Sequence, residues 1–116
     1  MDVQIFGVRK SADTRKALRF FSERRIRTHF VDLKERPASP GELKRFAQRF
    51  GIRALLDDRS VRYQELGMRH AVLGDERLLD LLVDEPGLLR VPLVRWGKQL
   101  SIGPAEEQWL IWRKTG

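Results

Sequence analysis

The sequence predicts an α/β domain: a four-stranded mixed sheet, a helical insertion over about residues 39–86, a C-terminal hairpin and a closing helix. Three observations predict it. The chain opens on a strand–helix–strand pattern, Val3 to Leu33, and that order implies a parallel pair joined by a crossover. A block with helical periodicity follows, carrying Leu43, Phe46, Ala47 and Phe50, and later Leu78, Leu79, Leu81 and Leu82. After Pro86-Gly87 the periodicity changes to two short apolar runs across a glycine-containing turn, which is the signal of a hairpin. At 116 residues, with neither repeats nor a composition shift, one domain spanning residues 1–116 is expected.

Each element has a local reason. Val3, Ile5 and Phe6 read as a short buried strand ended by Gly7. The basic loop Val8-Arg9-Lys10-Ser11-Ala12 leads to a helix over about residues 13–25. Asp13 is the expected N-cap, because a short carboxylate accepts from the orphan N–H groups of a first turn. Ala17, Leu18 and Phe21 share one side of this helix, and Arg24-Arg25 place positive charge at its C-terminal end. Phe30, Val31 and Leu33 are the apolar residues of a second strand, from about Thr28 to Leu33. Ser39-Pro40-Gly41-Glu42 reads as a capping box, and Gly51 stops the helix it opens. Arg53 to Leu56 and Tyr63 to Leu66 are short helical pieces, and Asp75 is the expected cap of a fourth helix. The hairpin is expected to use Leu88–Val94 and Gln99–Ile102, with Arg95-Trp96-Gly97-Lys98 as its turn. Pro92 lacks a ladder donor, so it must sit at an edge, a bulge or a bend. The last helix runs from about Ala105 to Arg113, with Trp109 and Trp112 packing in the core.

Composition bounds the chemistry. The net charge is +7 and arginine predominates over lysine, but the cations are scattered. Scatter favours contact with acidic partners, and direct nucleic-acid binding is not expected without a basic stripe. There is no cysteine, so disulfides, thiolate metal sites and thiol chemistry of the chain's own are excluded. His29 and His70 lack ligand spacing and no metal site is expected. No apolar run reaches the ~18–20 residues of a membrane span. The N-terminus begins on a strand pattern rather than an apolar leader, so a cytoplasmic location is expected. Lys10-Ser11 after a strand suggests a phosphate-binding loop only faintly, since Arg9 stands where that pattern needs glycine. No nucleophile elbow accompanies Ser11 and the two histidines. Trp96, between Arg95 and Lys98, reads as an exposed contact residue.

The loop delivers Ser11 to a helix N-terminus, where free N–H groups and the positive end of the macrodipole favour an anion. Arg9, Lys10, Arg15 and Lys16 stand there instead. Either an anion sits among them or they form a solvated basic face.

This order of elements is a thioredoxin-like plan, and the chain resembles the arsenate reductase family, which also contains the Spx-type transcriptional regulators. The resemblance rests on Ile5-Phe6-Gly7, Asp13-Thr14-Arg15-Lys16-Ala17-Leu18, Val31-Asp32-Leu33-Lys34 and Pro40-Gly41-Glu42-Leu43. It continues through Arg53-Ala54-Leu55-Leu56, Tyr63-Gln64-Glu65-Leu66-Gly67, Asp75-Glu76-Arg77-Leu78-Leu79 and the stretch Pro86 to Val94. The resemblance implies that Pro92 is a cis-proline facing the active loop. It also implies that Ser11, or failing that Ala12, stands at the family's catalytic cysteine. Thr14 stands where the Spx-type proteins carry a second cysteine. The family's oxyanion-holding arginines fall on Asp57, on Val91 beside Arg90, and near Ile102 or Gly103. A serine hydroxyl without an activating base forms neither a mixed disulfide nor a thiol–arsenate adduct.

The expectation is therefore a redox-inactive relative with no catalytic residue. It would bind an acidic protein surface or a small anion through Arg9, Lys10, Ser11, Thr14, Arg15, Arg90 and Pro92. RNA polymerase is a partner by analogy with the Spx-type proteins only. The alternative is a reductase or transferase of the arsenate reductase/glutaredoxin type that borrows its thiol from glutathione, with Ser11 as a hydrogen-bond donor.

Overall fold

The computed structural model describes residues 2–115, apart from the side chain of Thr115. The element order is β1 (Val3–Gly7), α1 (Ala12–Glu23), β2 (Thr28–Asp32), α2 (Pro40–Phe50), α3 (Val61–Glu65), α4 (Asp75–Asp84), β3 (Leu93–Trp96), β4 (Gln99–Ile102) and α5 (Glu106–Thr115). Short 3-10 turns at Ile52–Leu55, Met68–His70 and Pro86–Leu88 punctuate the helices. The chain forms two compact units. One is the chain up to Arg36 together with everything from Val91 onward; the other is Pro37–Arg90.

The first unit carries the sheet, in the order β2-β1-β3-β4. β1 pairs parallel with β2, Ile5 opposite Phe30, and antiparallel with β3, Ile5 opposite Val94. β3 and β4 form the hairpin, with Trp96 opposite Gln99. Val3, Ile5 and Val94 pack with Ala17, Phe20 and Phe21 of α1 and with Trp109 and Trp112 of α5 in one buried cluster. The β1 alternation explains this, since residues two apart share a face. The Trp109 indole N–H donates to Ser101 Oγ at 2.9 Å, so the deepest tryptophan and a buried serine satisfy each other.

The hairpin starts later than the apolar run suggests. Leu88 and Leu89 belong to the helical unit, where Leu89 bridges Leu56, and the strand begins only after Pro92. Proline cannot donate to a ladder, which sets that boundary. Arg95 and Trp96 are strand residues, and the turn is Gly97-Lys98, with Gly97 at a φ of 63°. Trp96 is consequently half-buried, its ring 5.9 Å from Phe21, and is a core residue rather than an exposed contact.

In the second unit, α2 packs against α4. Its entry is the expected capping box: Ser39 Oγ accepts from Glu42 N, and Glu42 Oε1 accepts from Ser39 N. α4 has Gly74, not Asp75, at its N-cap; Asp75 and Glu76 occupy the first turn, where a carboxylate is favoured by the dipole. Arg62 of α3 makes a bidentate pair with Glu85, both N···O distances 2.8 Å. That guanidinium holds the Glu85 carboxyl below its usual range. The Arg62 stem lies where a Cβ on Gly87 would meet it, at 3.1 Å.

Candidate functional site

The loop between β1 and α1 is closed by Ser11 N donating to Val8 O at 3.0 Å. Ser11 itself is the N-cap of α1. Its backbone is extended, its Oγ accepts from Thr14 N at 3.1 Å, and its carbonyl accepts from Arg15 N at 3.0 Å. Asp13 does not cap the helix; it lies in the first turn, because a serine two residues earlier reaches the orphan N–H first. The helix also ends at Glu23, so Arg24 is its C-cap rather than part of its last turn, and Arg25 adopts a φ of 58°.

Thr14 is fully buried in the first turn of α1, and its hydroxyl has no hydrogen-bond partner among the described residues. Its side chain lies directly over Gly7, where an added Cβ would collide with Thr14 Oγ1 and come within 2.6 Å of Cγ2. Gly7 has an ordinary φ, so it is this approach of helix to strand, and not the backbone conformation, that requires glycine there.

The cations around the cap are not equivalent. Arg15 Nη1 donates to Arg9 O at 2.7 Å and braces the loop. The Arg9 guanidinium lies 4.8 Å from the Phe30 ring centroid and 4.0 Å from Asp32 Oδ2. Both arginines are thereby held by the protein itself. Lys10 and Lys16 are exposed and, among the described residues, make neither an ion pair nor a side-chain hydrogen bond. Among the described residues neither a histidine nor a carboxylate is bonded to Ser11 Oγ.

The structure thus gathers Arg9, Lys10, Ser11, Thr14 and Arg15 at one helix mouth. Pro92 is buried, its peptide bond to Val91 is cis, and it precedes Leu93, which pairs with Phe6; this sets it at the Gly7 end of β1. Its carbonyl accepts from Gly103 N at 2.8 Å. Arg90 is exposed and belongs to the other unit, its N–H donating to Leu55 O at 2.8 Å. Asp57 lies in that unit too, accepting from Arg59 N through Oδ1 at 3.0 Å. His29 and His70 are both exposed, and among the described residues no group of three or more His, Cys, Asp or Glu could hold a metal ion. No helix of the described residues is long and apolar enough to cross a membrane.

Sequence reasoning read Arg24 only as positive charge at the end of α1 and missed its contact with Phe20. Its guanidinium sits 3.7 Å over the Phe20 ring and donates to Phe20 O at 3.0 Å. The i, i+4 spacing of Phe20 and Arg24 was the available signal.

Comparison with known proteins bears on the fold and the family. An arsenate reductase of Neisseria meningitidis is 28% identical over 105 residues, covering 88% of this chain and 90% of that protein. The solved arsenate reductase from Vibrio cholerae superposes with a TM-score of 0.82 at 28% identity, over 96% of this chain and 97% of that one. The solution structure of an arsenate reductase related protein from Brucella melitensis, 22% identical, shares the fold with a TM-score of 0.70, over 98% and 96% of the two chains. These neighbours confirm the thioredoxin-like α/β plan. The profile of the ArsC family matches residues 6–112. With its fold, its order of motifs and its lack of any cysteine, the chain belongs to the ArsC family as a member without the catalytic thiol.

Proposed function

We propose that the chain is a redox-inactive binding module of the ArsC family, which recognises an acidic protein surface or a small anion through the N-terminal end of α1 and its basic surroundings. The observation that carries this reading is Ser11. Its Oγ is engaged as a helix cap at 3.1 Å from Thr14 N, and among the described residues no base is bonded to it. Near pH 7 a serine hydroxyl in that state stays protonated and does not attack. The binding half of the reading is electrostatic. Arg9, Lys10, Arg15 and Lys16 surround the positive end of a 12-residue helix, an arrangement that costs free energy when empty and gains when an anion enters. Lys10 and Lys16 are the two of these cations with no internal partner among the described residues.

Two measurements on the full chain test the two halves. Reduction of arsenate and of a small disulfide, with and without glutathione, is expected to show no turnover above the protein-free control. Melting in phosphate, sulfate or a Glu-rich peptide at matched ionic strength is expected to rise, since a ligand at 100 times its Kd stabilises by about 2.7 kcal/mol. Glutathione-dependent turnover lost in Ser11→Ala would establish the borrowed-thiol enzyme instead. No shift with any of these anions would remove the binding half.

A further inference from the structure

We propose that the groove between the outer stripe of α1 and the start of α5 is a docking site for an acidic peptide segment of a partner protein. The inference rests on the binding-module reading and adds to it a second place, further along α1 than the cap, with its own ligand class. Lys16, Arg19, Phe20, Glu23 and Arg24 follow one stripe of α1 at i, i+3, i+4, i+7 and i+8. Glu106, the first residue of α5, completes the lining of a groove of about 310 Å³.

The floor is rigid. Phe20 is 5% exposed, and Trp109 backs it with ring centroids 5.2 Å apart. Arg24 is already set for recognition: it is stacked on that ring and tied to Phe20 O, and most of its five donors remain available. The ordering cost of a long side chain on binding is thus largely met before a ligand arrives. Lys16, Arg19, Glu23 and Glu106 make no ion pair or side-chain hydrogen bond among the described residues, although Arg19 and Glu23 stand at i, i+4 spacing.

The mixture of signs selects the ligand. Three cations call for a carboxylate. Sulfate would satisfy them but has no donor for Glu23 and Glu106, and phosphate near neutral pH brings only one or two O–H groups for both. A phosphate-rich polymer would face the same repulsion at every repeat. An acidic peptide brings both groups: a side-chain carboxylate for Lys16, Arg19 and Arg24, and backbone N–H donors for the two glutamates. The net charge of +7 adds long-range steering toward such a partner.

The test titrates the 15N-labelled full chain with a capped peptide containing Glu-Asp-Glu. A Gln-Asn-Gln peptide and inorganic phosphate at equal ionic strength are the controls. The Glu-Asp-Glu peptide is expected to give saturable amide shifts confined to residues 16–24 and 105–107. Lys16→Glu and Arg19→Glu, both surface changes, should each weaken it about fivefold or more. The Gln-Asn-Gln peptide should give no saturable shift. Phosphate binding as tightly as the peptide, or peptide binding indifferent to both variants, overturns the proposal. Shifts that map instead to residues 8–15 and vanish in Lys10→Glu remove the groove but keep the binding module. Absence of binding anywhere on the chain removes both.

Discussion

The contact between Gly7 and Thr14 gives the sharpest test of how the candidate site is built. In Gly7→Ala the new Cβ would lie within 2.6 Å of Thr14 Cγ2 and 3.1 Å of Thr14 Cβ, and would collide with Oγ1. Carbon atoms rest at about 3.5–4.0 Å, so roughly 1 Å of separation must be found. Thr14 cannot swing away: it is fully buried, β-branched and on the first turn of a capped helix. α1 would have to lift from β1. Overpacking of this kind costs about 1–3 kcal/mol. A contact this short against a side chain that cannot move falls at the upper end of that range, and the gain from removing a strand glycine, about 0.5–1 kcal/mol, offsets part of it, so a net loss of about 2 kcal/mol is expected. Thr14→Ala alone should be nearly neutral. It removes a buried methyl worth about 0.8 kcal/mol, but also an unpartnered buried hydroxyl whose desolvation costs about 1–3 kcal/mol. The double variant should then recover most of the Gly7→Ala loss, a coupling of about 2 kcal/mol. Urea unfolding followed by tryptophan fluorescence suits the question, because Trp96, Trp109 and Trp112 all lie in the sheet-bearing unit. The midpoint of Gly7→Ala should fall by about 1 M at an unchanged slope of ~2 kcal/mol/M. A Gly7→Ala protein within 0.5 kcal/mol of the parent, or a double variant equal to the sum of its parts, would refute the reasoning.

Ser11→Ala should cost about 1 kcal/mol, and Ser11→Gly only a few tenths, because the first removes the acceptor for Thr14 N while the second also suits an N-cap backbone; equal urea midpoints for parent and Ser11→Ala would show that the cap contributes nothing. Ser11→Cys should carry a thiol more acidic than the usual ~8.5, read as the pH dependence of iodoacetamide alkylation, since a helix N-terminus and nearby cations favour thiolate. The Arg62–Glu85 pair predicts an acid limb. The folded Glu85 carboxyl titrates below its usual value of about 4.3, so its stabilisation is present above that pH and fades as pH falls through the lowered value. Part of the parent's acid loss should therefore be absent in Glu85→Gln, and identical pH profiles would contradict it. Trp109→Phe leaves Ser101, 1% exposed, without its donor and opens a void, so a loss of about 2–4 kcal/mol is expected in the same urea assay.

The helix α2 was legible down to its cap because its signals are local: Ser39, Pro40 and Glu42 satisfy one another within four residues. The N-terminus of α1 was misread by two residues because Ser11 and Asp13 are both competent caps. Only the path of the loop decides which oxygen reaches an N–H. The hairpin was misplaced because Leu88 to Val94 is apolar throughout, and an apolar run does not say which of its residues face a helix and which a strand partner. Trp96 looked exposed on sequence grounds, as neighbour of two cations, until the register set it in β3 beside Phe21.

Composition alone determined that this chain does no thiol chemistry of its own, since no arrangement of 116 residues without cysteine can supply a thiolate. Order and spacing alone determined the strand–helix–strand opening and the helical block, because those patterns repeat within a few residues. Tertiary structure decided which cations are held by the protein and which are left for a ligand. Arg15 meets the Arg9 carbonyl, Arg9 meets Phe30 and Asp32, and Glu106 joins the stripe of α1 from more than eighty positions away in the sequence. Side-chain electrostatics depends on distances across the fold, and those distances exist only once the sheet has brought its helices together.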